Sequence, residues 1–317
     1  MGERPVVSFC ATNLNTVDRL PASIESIETI GRSIGAPFEV VVADGPSSDG
    51  ARAFLEARAR SNPGFRLVPH ALRNRGYGRR RAFEESRGAT IVPFDTSLTY
   101  DPMYADLLRA YRSLQTDRML FSEICALSRR SIESVGGWRD LIGGEDFDLY
   151  ARVVQRFGLI AYPIPVRTSQ SAALSAVARQ LRYVRGSRLA RALRIYRVQR
   201  DQIIGSNYRV GDLMAFNSRK PWARRAAYRA FFTIAALGAR LSPLRPFRFD
   251  RNNYLVFREA IFSSLLAGSE KELRWDGPPP KLLLSRDEFA YLGTCSSLFR
   301  SSEKDLRPFL GPKETAA

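Results

Sequence analysis

The chain has 317 residues, 44% hydrophobic and 11% aromatic, which is enough apolar material for a sizeable core and excludes disorder as the main state. Its 49 Lys and Arg against 32 Asp and Glu give a formal charge of +17, which implies an anionic partner: nucleic acid, anionic lipid or a phosphorylated substrate. Three widely separated cysteines, Cys10, Cys125 and Cys295, lack any CxxC or metal-ligand spacing, which argues against a disulfide framework or structural zinc and fits a reducing compartment.

In chain order, Val6–Ala11 reads as a short buried strand, too brief for the core of a secretory leader, so none is expected. A loop at Asn13–Thr16 leads into a helix over Val17–Ile34, with Leu20, Ile24, Ile27 and Ile30 on one face and Pro21 in its first turn. Phe38–Ala43 is a second apolar run ending in the dense turn signal Asp44–Gly50. A helix over Ala51–Ser61, a strand over Phe65–Val68, a helix over Arg79–Ser86 and a strand over Thr90–Phe94 follow. This alternation predicts an α/β fold, a mostly parallel sheet with helices on both faces. Such sheets bind ligands beyond the carboxyl ends of their strands, and here those ends supply Thr12-Asn13, Asp44-Gly45 and Asp95-Thr96-Ser97.

Beyond about residue 165 the character changes, dividing the chain into a catalytic 1–165 region and a basic, mostly helical 166–317 region. Gln170–Ile204 and Trp222–Leu241 read as basic helices, Arg245–Arg251 as a connection and Pro278–Pro280 as a rigid turn. From Arg179 to Arg200 arginine recurs at every third position, with Leu174, Val177, Leu181 and Val184, then Leu189, Leu193 and Tyr196, as the opposing faces, and Gly186-Ser187 as a break. A basic amphipathic helix binds an anionic membrane surface or packs, solvated, on the catalytic region. Phe231, Phe232, Ile234 and Leu237 among the arginines of Ala226–Leu241 favour the membrane. The uncharged stretch there is about half the roughly 20 residues a bilayer span needs, so no transmembrane helix is expected.

The residues Val7–Asn15, Phe38–Gly50, Asn74–Gly78, Asp95–Leu98 and Gly144–Leu149, in that order, resemble the opening strand, acidic turn, glycine loop, DxD segment and acceptor-side "ED" motif of the family 2 glycosyltransferases. The resemblance covers residues 5–165 and implies a GT-A fold and an inverting sugar transfer from a nucleotide sugar, UDP- or GDP-linked. It assigns Thr12, Asn13, Asp44, Gly45, Arg75, Gly76, Arg81, Asp95 and Ser97 to the donor; as a plain turn residue, Asp44 would instead cap the next helix. Asp146 takes the role of general base with Glu145 beside it, while the plainer reading makes both an acidic helix N-terminus.

At the DxD position Asp95-Thr96-Ser97 lacks the second carboxylate that in the family holds Mg²⁺ or Mn²⁺, and a hydroxyl is a poorer ligand for a hard cation. His70 precedes the glycine loop and does not match the family's later histidine ligand; it reads as a surface or strand-end residue. Either Asp101 joins Asp95 on a metal, or Arg73, Arg75, Arg79, Arg80 and Arg81 neutralise the diphosphate directly. Asp95, Leu98 and Pro102 also resemble the polyprenyl-phosphate sugar synthases, which implies a lipid-phosphate acceptor and a cytoplasmic, peripheral place on the inner membrane face. Two other classes stay open: an inactive relative serving as a binding module, and a nucleic-acid-binding protein. The acidic rim and the lack of any nucleic-acid motif speak against the last, so no nucleic acid is expected.

Overall fold

A computed structural model describes residues 5–102, 104–121, 124–161, 187–206, 210–215, 221–244 and 246. The elements run β1 (Val7–Asn13), α1 (Leu20–Ser33), β2 (Phe38–Asp44), α2 (Ala51–Ser61), β3 (Phe65–Pro69), α3 (Arg75–Glu85), β4 (Thr90–Pro93), α4 (Tyr104–Ser113), β5 (Met119–Phe121), β6 (Leu127–Ser128), α5 (Arg129–Ser134), α6 (Glu145–Phe157), β7 (Leu159–Ala161), α7 (Arg188–Ser206), α8 (Val210–Ala215) and α9 (Trp222–Leu241). A five-stranded sheet has the order β3-β2-β1-β4-β6, parallel except for β6, and β5 pairs β7 in a second, parallel pair. The expected architecture is present.

Alternation along the strands explains why both faces are covered. Phe9, Val40, Val42 and Val92 join α1, α2 and α4 in one buried cluster. Their neighbours Cys10, Val41, Ala43 and Ile91 join α3, α5 and α6 in another. A third cluster ties Leu141 to Ile203 and Ile204 of α7 and to Phe232, Ala235 and Ala239 of α9.

One expectation is corrected. The helix expected from Arg79 starts at Arg75, because Asn74 caps it by accepting the Tyr77 N–H at 3.0 Å. Gly76 and Gly78 therefore lie in a helical turn, not a loop. A Cβ at Gly76 would sit 2.1 Å from the Arg139 carbonyl oxygen, and one at Gly78 2.0 Å from Thr12 Oγ1. Close approach is what these glycines provide.

The basic helices are described only in part. Arg179, Arg182, Arg185, the connection at Arg245–Arg251 apart from Pro246, the turn at Pro278–Pro280, Cys295 and the boundary near 165 lie outside the described residues. In α7 the inward face is Val198, Asp201, Ile203 and Ile204, while Leu189 and Leu193 are exposed. In α9 Phe232 packs inward, whereas Ile234, Leu237 and Leu241 face out. No helix among the described residues is long and apolar enough to cross a membrane.

Candidate active site

The sheet order reverses direction between β1 and β4, and the crevice beyond the carboxyl ends of those strands opens there. It forms a cleft of about 310 Å³ lined by Thr12 and Asn13 of β1, Gly45 after β2, His70 after β3, Arg73 and Arg75 at the start of α3, and Asp95–Ser97 after β4. Ile142, with Arg194 and Val198 of α7, also lines it. An ordinary small-molecule pocket has a volume of this order.

On the β2 side, Asn13 is the organising residue. Its Nδ2 donates to Asp44 Oδ1 at 2.7 Å and its Oδ1 accepts from Thr96 Oγ1 at 3.0 Å, tying the ends of β1, β2 and β4 together. Asp44 is fully buried and also accepts from Ser47 Oγ at 2.7 Å and from Arg52, whose guanidinium holds the Gly45 carbonyl at 2.8 Å. Asp44 thus fastens the turn from behind the cleft wall, and Gly45 is the residue that lines it.

On the α6 side, two acids sit at the N-terminus of the helix behind Gly144, whose φ of 73° is easy only for glycine. Asp146 accepts from Trp138 Nε1 at 2.9 Å and from the Arg79 guanidinium at 3.1 Å, and stays 22% exposed. Glu145 is buried against Arg75 Nε at 3.0 Å. Burial raises its pKa, with Asp146 adding to the shift and Arg75 opposing it. Asp148, two positions on, is held by Arg139 and Arg152 and is structural. Arg79 is nearly buried and donates to the Cys10 carbonyl at 3.1 Å and the Phe94 carbonyl at 2.6 Å, joining β1 and the β4 end to Asp146.

The described residues of the cleft do not fit a divalent cation. Asp95 Oδ1 already accepts the Ser97 N–H at 2.9 Å and its Oγ–H at 2.8 Å. Burial opposes its ionisation, but Arg75, the Ser97 bonds and Arg79 together hold its carboxyl below the usual carboxylate range. Those cations compete with a metal for the same carboxylate. Asp101 is not on the cleft wall. Among the described residues no three His, Cys, Asp or Glu side chains form a group that could hold a metal.

Of the expected donor residues, Thr12, Asn13, Gly45, Arg75, Asp95 and Ser97 line the cleft; Asp44, Gly76 and Arg81 do not. Arg81 pairs with Glu84 and Glu85 on the outer face of α3, and Arg80 pairs with Asp140 and Glu84. Glu145 and Asp146 stand behind Arg75 and Arg79 instead of on the wall itself. Sequence reasoning missed Arg19, Ile142, Arg194 and Val198, and it undervalued His70. His70 does follow a strand, as expected, yet it lines the cleft, and neither ring nitrogen has a hydrogen-bond partner among the described residues. Burial lowers its pKa, against the attraction of Asp44, and so favours the neutral ring.

Residues 8–122 match the family described as glycosyl transferase family 2. Over 101 residues the chain is 34% identical to the undecaprenyl-phosphate 4-deoxy-4-formamido-L-arabinose transferase of Pseudomonas paraeruginosa, covering 31% of this chain and 29% of that protein. The match therefore spans less than a third of that relative's length. Among solved structures, the mannosyltransferase PcManGT from Pyrobaculum calidifontis in complex with GDP-Man and Mn²⁺ is similar at 18% identity, over 85% of this chain and 89% of that one, with a TM-score of 0.47. S. aureus TarS (residues 1–349) in complex with UDP-GlcNAc is similar at 12% identity, over 84% and 82% of the two chains, with a TM-score of 0.43.

Proposed function

We propose that the chain, whose residues 8–122 match the glycosyl transferase family 2, moves a sugar from a nucleotide-sugar donor to a hydroxyl or phosphate of a lipid-linked acceptor, with inversion. The observation that carries this reading is the cleft at the β1/β4 reversal with Asp146 and Glu145 immediately behind its arginine wall. The nucleotide lies along Thr12, Asn13 and Gly45, and the diphosphate reaches the Asp95 end. Asp44 acts on the nucleotide through the turn it fastens, and Gly76 by letting α3 approach Leu141.

Asp146 accepts the proton of a hydroxyl acceptor. Its two hydrogen bonds aim it, and its residual exposure leaves it reachable. Glu145, buried with a raised pKa, holds Arg75 in place and is the second candidate for the base. With a hydroxyl acceptor the oxygen bonds to the anomeric carbon, the bond to the diphosphate breaks, and the proton goes to the carboxylate; an ionised phosphate acceptor attacks the same carbon with no proton to lose, and Asp146 then acts by holding Arg79.

Two observations support an acceptor at an anionic membrane surface. The matched relative is named for undecaprenyl phosphate. Helices α7 and α9 expose Leu189, Leu193, Trp222, Ile234, Leu237 and Leu241 among arginines, and their one acid, Asp201, is buried. On this reading the chain sits peripherally on the cytoplasmic face, and residues 166–317 are its membrane-facing and acceptor region, with α7 completing the cleft. Ser97 in place of a second acid favours one rival, an inactive binding module. Transfer of labelled sugar to a polyprenyl phosphate by the wild type, lost in a folded Asp146→Asn variant, separates the two; equal activity in both proteins would remove Asp146 from the mechanism.

A further inference from the structure

Among the described residues, the cleft wall carries Arg19, Arg73, Arg75, Arg79 and Arg194 against a single carboxylate, Asp95. Even with Glu145 and Asp146 behind Arg75 and Arg79 counted as fully ionised, two positive charges remain in excess. That excess matches the charge of a nucleoside diphosphate, which carries about two to three negative charges at neutral pH. A bound dication would double it in a narrow cleft already rich in guanidinium groups.

The arginines come from separate elements and meet at one place. Arg73 and Arg75 flank the Asn74 cap of α3, Arg79 is one turn further on, and Arg194 projects from α7 and donates to the Arg73 carbonyl at 2.9 Å. One Arg73 guanidinium nitrogen and the Arg79 Nε are buried without a hydrogen-bond partner among the described residues. Buried donors of this kind call for an acceptor, and phosphate oxygens are the acceptors that suit guanidinium best. Asp95, meanwhile, is taken up by Ser97 and held ionised by Arg75 and Arg79.

Resting on the glycosyltransferase reading, we infer that this arginine cage binds and neutralises the donor diphosphate in place of a divalent cation. Arg73 and Arg194 grip the phosphate oxygens bidentately. Arg75 and Arg79 lie between the diphosphate and the two acids of α6, so diphosphate binding draws on the same cations that hold Glu145 and Asp146. Loss of the leaving diphosphate and the charge on the base are thereby electrostatically linked.

Isothermal titration of UDP and GDP into the full chain tests this, in EDTA and again with Mn²⁺ or Mg²⁺. The inference predicts binding of one nucleotide in EDTA, within about threefold of its affinity with metal. In Arg73→Ala and Arg194→Ala that nucleotide weakens about tenfold or more, whereas the parent nucleoside, which lacks the phosphates, is unaffected. Binding of UDP or GDP only when metal is present overturns the arginine cage and leaves the glycosyltransferase reading standing. Failure of both nucleotides under every condition overturns the two together. Should either variant misfold, the EDTA comparison on the unaltered chain decides alone.

Discussion

Replacing Arg79 by alanine tests whether one buried guanidinium ties the sheet to the acidic helix. Three interactions disappear: to the Cys10 carbonyl, to the Phe94 carbonyl and to Asp146. The Cys10 carbonyl keeps the Phe94 N–H at 3.0 Å, so its loss is small. The Phe94 carbonyl loses a 2.6 Å charge-assisted bond, costing about 1–3 kcal/mol. Asp146 is 22% exposed and regains water, so that pair contributes only about 1 kcal/mol. Burial of the methylene stem adds about 2 kcal/mol, and removal of the unpartnered Nε–H gives about 1 kcal/mol back. The net expectation is a loss of about 3–5 kcal/mol, a large share of a typical domain's stability. Urea denaturation followed by far-ultraviolet circular dichroism should show a lower midpoint with an unchanged slope. Arg79→Lys, which keeps the stem and the charge, should fall between the two. A loss below about 1 kcal/mol for the alanine variant would refute the tie.

Other substitutions follow from the same geometry. Gly78→Ala places a Cβ 2.0 Å from Thr12 Oγ1, so it should destabilise by about 1–3 kcal/mol and weaken nucleotide binding; a neutral melting curve would contradict the close packing. Gly205→Ala meets the Gly144 carbonyl at 2.1 Å and should shift α7 off the N-terminus of α6, lowering turnover more than it lowers the melting temperature. Glu39 is buried and accepts from Ser8 at 2.6 Å and Arg66 at 2.7 Å; burial raises its pKa, but these bonds outweigh it and leave the value below the ordinary 4.5. The stability it supplies is therefore present above pH 4.5 and lost as pH falls through its folded pKa, so Glu39→Gln should flatten the acid limb of a stability–pH curve. Asp146→Asn should cut kcat by about 10²–10⁴-fold while nucleotide binding is kept or tightened, because Arg79 loses its competing carboxylate; transfer kinetics and titration measure both.

The parts legible in the sequence are those set by local pattern. Apolar runs of β1 and β2 buried on both faces, the Asp44–Gly50 turn and the 3.6-residue period of α1 each carry their own signal. The cap of α3 was there to read in Asn74, but two glycines and an arginine run masked it, because glycine opposes helix unless close packing requires it. Arg81 shows the same lesson from charge: Glu85 four residues on already marks it as one half of a surface pair. Asp44 was harder, since its partner Arg52 is reached only once the turn closes. Arg194 and Val198 lie far along the chain from the strand ends whose cleft they line, and no local rule brings them there; only the packing of α7 on Leu141 and Gly144 does.

The most direct test of the central claim is the melting temperature of the purified chain against UDP-, GDP- and dTDP-linked sugars. Saturation at about a hundred times Kd adds roughly 2.7 kcal/mol to the folded state, or about 4 °C for a chain of this size. The glycosyltransferase cleft predicts a saturable rise with one nucleotide class and none with the free sugar. No rise with any donor, in buffer or with anionic lipid present, would contradict it.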